Sequence, residues 1–171
     1  MKKRIIYKGF HRALPYKFPI LKRWKKNRII WSGTFVFDSP TCAYNLGNED
    51  QGDWNKLGGI CFGILGVHKD CFRFVWRYNI KTRKMEIAAG MYCNGARTFN
   101  RITAINLGEE MTYTLELTRS GKEIEINFTC SNGKSYNTKY EIIRKPWLNF
   151  GIGLYFGGNQ RAPQKMIILE K

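Results

Sequence analysis

The sequence predicts an all-β protein: an antiparallel two-sheet jelly-roll sandwich with an extended basic N-terminal arm. Three observations carry this. About ten short runs of alternating apolar and polar residues follow one another at turn spacing, and none has the periodicity of an amphipathic helix. Turn pairs fall between the runs at Asn94-Gly95, Ser120-Gly121 and Asn132-Gly133. The most regular run is Cys71–Tyr78, where Phe72, Phe74, Trp76 and Tyr78 take one face while Arg73 and Arg77 take the other. At 171 residues and 43% hydrophobic, the chain suits one domain with a real core, and the lack of internal repeats excludes propellers and solenoids.

Residues 1–30 form the arm. They hold eleven of the 29 Lys and Arg and no acid, whereas the remainder carries 18 basic against 13 acidic residues, a net +5 out of +16. Lys2, Lys3, Arg4, Arg12, Lys22, Arg23, Lys25, Lys26 and Arg28 supply charge, while Phe10, Tyr16 and Trp24 supply apolar anchors. Pro15 and Pro19 exclude a continuous helix. The arm is therefore expected to be extended, to pack on a neighbouring chain more than on its own sandwich, and to be dispensable for folding. Its charge allows two partners, an acidic protein surface in an assembly or non-specific nucleic acid.

The sandwich is assigned to residues 31–171. A first strand runs over Ile30–Phe37, and Thr41–Asn55 is a long polar loop without the ligand order of a calcium-binding loop. Strands are then expected at Leu57–Leu65, Cys71–Ile80, Lys84–Cys93, Arg97–Leu107, Met111–Thr118, Glu123–Cys130 and Ser135–Ile143. In Trp147–Phe156, the residues Phe150, Ile152, Leu154 and Phe156 oppose Gly151, Gly153 and Tyr155, and Lys165–Glu170 closes the domain.

Five cysteines without a C-x-x-C pair read as buried free thiols, and His68 with Cys71 has no second pair to complete a metal site, so no metal or cofactor is expected. Before Lys8 the longest uncharged run is Ile5-Ile6-Tyr7, so no secretory signal is read, and the expected location is cytoplasmic synthesis followed by incorporation into a particle. No run reaches the roughly 18 apolar residues of a membrane-spanning helix.

Several motifs carry a resemblance: Trp54-Asn55-Lys56-Leu57-Gly58-Gly59, His68, Phe72–Arg77, Tyr92-Cys93-Asn94-Gly95-Ala96-Arg97 and Leu154–Pro163. Over residues 31–171 the chain resembles mostly uncharacterised proteins of gut Bacteroidetes and their phages with a concanavalin A-like sandwich. More distantly, Tyr155-Phe156-Gly157-Gly158 is similar to the closing-strand motif of jelly-roll polysaccharide lyases, with Gly157 in place of that motif's lysine. Arg73 and Arg77 lack the glutamate that the lyase strand places between them. The expectation is a non-enzymatic interaction protein, such as a virion component anchored by its arm, with a lectin-like sandwich; the alternatives are a carbohydrate-binding module and then a lyase. Arg73, Arg77, Tyr92, Arg97 and Tyr155 are the candidate ligand-binding residues, because aromatic faces stack on sugars and arginine donates in a fixed fork.

Overall fold

The computed structural model describes residues 1–16, 18–63, 70–93, 95–141 and 148–171. His68 and Asn94 lie outside them. Among the described residues, twelve strands form two antiparallel sheets of six. The first sheet has the order β1 (Lys2–Ile6), β12 (Met166–Glu170), β3 (Arg28–Phe37), β8 (Glu110–Ser120), β9 (Glu123–Cys130), β10 (Ser135–Glu141). The second has β2 (Ile20–Lys22), β11 (Asn149–Ile152), β4 (Asn55–Phe62), β5 (Cys71–Asn79), β6 (Lys84–Cys93), β7 (Ala96–Ile105). The expected jelly-roll sandwich is the fold observed. The loop after β3 contains one 3-10 turn at Glu49–Gly52, begun by Asn48, whose side chain accepts from the Asp50 amide.

Period-two alternation decides what the sheets bury. Phe72, Phe74 and Trp76 of β5 are fully buried against Phe35, Phe37, Tyr113 and Phe128 of the first sheet or its neighbours. Phe74 packs on Tyr113 at 4.7 Å and on Phe128 at 5.0 Å between ring centroids. Glycine makes room for the largest core ring on the opposing side: a Cβ at Gly58 would collide with the Trp31 ring, and one at Gly151 would lie 3.5 Å from it. That demand corrects one expectation. Gly151 and Asn149 face inward on β11, so Phe150 and Ile152 face outward, and Ile152 packs on Cys61, Cys71 and Tyr92.

The arm requires a larger correction. It is extended, but β1 pairs with β12 from Lys2↔Glu170 to Ile6↔Met166, and β2 pairs with β11 from Ile20↔Gly151 to Lys22↔Asn149. Strands of the sandwich therefore begin before Ile29, and the arm packs on its own sheets. The physical reason is that β11 and β12 would otherwise be bare edges with unpaired backbone groups. Ile6 and Ala13 add buried apolar surface. Arg4 turns toward the interior side and meets Glu170 at 2.6 Å, Trp24 packs on Phe62, and Arg28 pairs with Glu116. Lys22 lies alongside Gly151. Lys2, Lys3, Phe10, Arg12, Tyr16, Arg23, Lys25 and Lys26 are exposed.

Two of the five cysteines also depart from expectation. Cys61 and Cys71 stand directly opposite each other on β4 and β5 and form a disulfide. Cys42, Cys93 and Cys130 are free.

Candidate functional site

The face of the second sheet turned away from the core is a grid of cross-strand rows. One row runs Arg12, Tyr155, Lys56, Val75, Ala88, and the next runs Ile152, Gly59, Arg73, Gly90, Phe99. A third includes Cys61, Cys71, Tyr92 and Arg97, and Arg77 and Glu86 oppose each other beyond the first. All five sequence-predicted residues, Arg73, Arg77, Tyr92, Arg97 and Tyr155, lie on this face. They divide into two groups.

Arg73 and Arg97 both lie over the Tyr92 ring, at 4.7 and 5.9 Å from its centroid. Tyr92 meets Phe99 edge to face at 6.1 Å, Phe99 stacks on Trp54 at 6.2 Å, and Arg77 caps Trp54 at 4.3 Å. The result is a ladder of three rings with a cation at each end, each contact favoured by the ring quadrupole. Gly90 leaves the space for it, since a Cβ there would press on Val75 and Phe99. Phe99 and Arg97 are exposed, whereas Arg73 and Tyr92 are each 3% exposed. Arg77 is held from three sides: Nε donates to Glu86 at 2.8 Å, Nη1 donates to the Gly52 carbonyl at 2.7 Å, and the plane lies on Trp54. It acts as a strut of the face.

Tyr155 belongs to the second group, with Lys56 and Arg12, neither of which was expected at the site as a ligand contact. A β-bulge between Lys56 and Gly58 puts Leu57 into the core and turns Lys56 outward. Its amine lies 5.4 Å from the Tyr155 ring centroid and donates to the Gly157 carbonyl at 2.5 Å. Gly157 has φ +74, and a Cβ there would collide with the Gln160 carbonyl, so only glycine fits. Its amide donates to Asn55 Oδ1, and Asn55 Nδ2 donates to the Tyr44 hydroxyl at 2.9 Å. His11 stacks on Tyr155 at 5.1 Å.

These groups open onto a cavity of about 410 Å³, whose lining includes Arg12, Tyr16, Lys56, Arg73 and Tyr155 and, from the first sheet, Arg4 and Glu170. The volume lies within the roughly 300–1,000 Å³ of small-ligand sites. Burial, and then the Arg73 charge, lower the Lys56 amine to about 8, with Asp53 acting in the opposite direction. Burial likewise lowers Arg73 to about 10, opposed by Tyr92, and leaves it cationic at neutral pH.

No protein-family model matches the sequence, and no curated protein matches it. A solved structure does share the architecture. An alginate lyase from Klebsiella pneumoniae superposes with a TM-score of 0.56 at 14% identity, over 83% of this chain and 58% of that one. The chain thus spans little more than half of that enzyme's length. An acidic lectin of winged bean, solved with methyl-α-D-galactose, has a TM-score of 0.44 at 13% identity, over 90% of this chain and 73% of the lectin. A carbohydrate-binding module of Bacillus subtilis has a TM-score of 0.36 at 8% identity, over 99% and 91%. At 14% identity the likeness to the lyase is one of fold alone. The protein is a concanavalin A-like jelly-roll sandwich.

Proposed function

We propose that the protein is a non-catalytic, lectin-like glycan-binding sandwich. The observation that carries this reading is the ladder Arg77, Trp54, Phe99, Tyr92, Arg73 running beside a cavity of about 410 Å³. Exposed ring faces stack on the apolar faces of sugars, and fixed arginines donate to their hydroxyls. The absence of catalysis is part of the proposal. Glu170 is the one carboxylate lining the cavity among the described residues, and it is engaged with Arg4. The groups left for proton transfer, Tyr155 and Lys56, are engaged with His11 and with the Gly157 carbonyl.

A glycan array on the wild type and on Phe99→Ala tests the reading. Phe99 is 36% exposed, so its loss should abolish stacking and leave the fold intact. Array binding unchanged by the substitution would move the site elsewhere, and release of unsaturated sugars would make the protein a lyase.

The kinship with proteins of gut Bacteroidetes and their phages, and a place in a virion, belong to the same proposal. Exposed Phe10, Phe18, Lys8, Lys25 and Lys26 would then supply contacts to other chains. Mass spectrometry of purified particles tests it, and particles lacking the protein would exclude it.

A further inference from the structure

We propose that the cavity selects acidic glycans, holding a carboxylate or sulfate group between Arg12, Lys56 and Arg73, with the basic N-terminal segment as one wall of the site. The proposal rests on the glycan-binding reading and names the ligand class of that site.

The argument begins with charge. Lys56 and Arg73 are 7% and 3% exposed; burial disfavours the charged form of both, and the Arg73 charge disfavours that of Lys56 further. Arg12 reaches the same cavity from the arm, because Arg12 and Lys56 flank Tyr155 in consecutive bridges of one row. Ring contacts orient both flanking cations: Arg12 lies 5.0 Å from the Tyr16 centroid and Lys56 lies 5.4 Å from that of Tyr155. Glu170 adds no net negative charge, since Arg4 balances it at 2.6 Å. Among the described lining residues the cations Arg4, Arg12, Lys56 and Arg73 stand against one carboxylate, Glu170, and the resulting positive potential favours an anionic sugar over a neutral one. The arm's composition also finds a use in this way. Between β1 and β2, Arg12, Ala13, Pro15, Tyr16 and Pro19 line the cavity, with Ala13 buried.

The test is calorimetric titration of the full chain with hexasaccharides that are uronate-bearing, sulfated or neutral. Wild type, Arg12→Gln, Lys56→Met and a control, Lys139→Gln on the other sheet, are compared, with circular dichroism to verify folding. Preference for the uronate or for the sulfated hexamer identifies the anion. Each cavity variant should weaken acidic-hexamer binding about tenfold and leave the control and any neutral binding unchanged. Equal affinity for acidic and neutral hexamers, or acidic binding indifferent to Arg12→Gln, overturns the anionic assignment while the glycan reading stands. No binding of any hexamer overturns both.

Discussion

Arg77 and Glu86 meet at 2.8 Å across neighbouring strands, and the carboxylate they share with Arg101 and Asn79 is almost wholly buried. Burial alone would raise the Glu86 carboxyl. The hydrogen bonds from Arg77 and Asn79, with the charges of Arg77 and Arg101, hold it below its usual value. A depressed carboxylate contributes stability above its unfolded pKa, and that contribution is lost as pH falls through the folded value.

Arg77→Ala is accordingly expected to cost about 1–3 kcal/mol at pH 7, with the deficit shrinking once the solution is acidic enough to protonate Glu86. Trp76→Ala on the opposite face should cost about 3–5 kcal/mol at either pH, because a fully buried ring leaves a cavity. Urea denaturation at pH 7 and pH 3.5 measures both. A pH-independent Arg77 deficit would assign its role to packing on Trp54.

Deleting residues 1–27 is expected to abolish cooperative folding, in contrast to the tether that the charge pattern suggests. The deletion strips β1 from β12, strips β2 from β11 and removes buried Ile6 and Ala13. Arg4→Ala alone, which removes the part-buried Arg4–Glu170 ion pair, should cost about 1–3 kcal/mol. Thermal unfolding followed by circular dichroism reads both, and a truncated chain with the wild-type midpoint would return the arm to a tether.

Lys56 predicts a stability that increases with alkalinity. Its folded value of about 8 lies below the 10.5 of a free lysine, so between these values the unfolded chain holds more protons and stability rises with pH. Lys56→Met should remove this rise and be at least as stable as wild type at pH 7. An acidic ligand needs the charged amine, so wild-type affinity should fall as pH passes 8. Urea midpoints and titrations at pH 7 and 9.5 decide, and identical pH profiles for wild type and Lys56→Met would exclude the lysine from both effects.

Thiol titration of the denatured, unreduced protein should find three thiols, from Cys42, Cys93 and Cys130. Replacing Cys61 and Cys71 by serine should cost about 2–3 kcal/mol, the expectation for so short a closed loop. A count of five thiols would show that the bridge does not form.

The features legible in the sequence were those with local period. Alternation over Cys71–Tyr78 placed Arg73 and Arg77 together, and the same parity placed Tyr92 and Arg97 beside them. Lys56 escaped because a bulge, two residues opposite one, leaves no mark in composition. Alternation sets Phe150 and Ile152 against Gly151 but is blind to Trp31, which claims the inner space beside Gly151 and turns the larger residues outward. Arg12 and the arm strands escaped for another reason: β1 finds its partner about 160 residues away, and no local pattern reports so distant a pairing. Cys61 and Cys71 oppose each other only once the β4–β5 register is known.

The pairing of β1 with β12 joins two segments about 160 residues apart, the first of which is synthesised long before the second. At roughly 5–20 residues per second, Lys2–Ile6 waits roughly ten to thirty seconds for the strand that will receive it. Through that interval the waiting segment is an open strand edge in a crowded cell, and its repeated positive charge is what discourages it from pairing with the wrong chain. Trypsin added to stalled nascent chains should cut freely among Lys2, Lys3 and Arg4, and the same sites should become protected after release; protection before Met166–Glu170 emerges would mean that something other than β12 receives the strand.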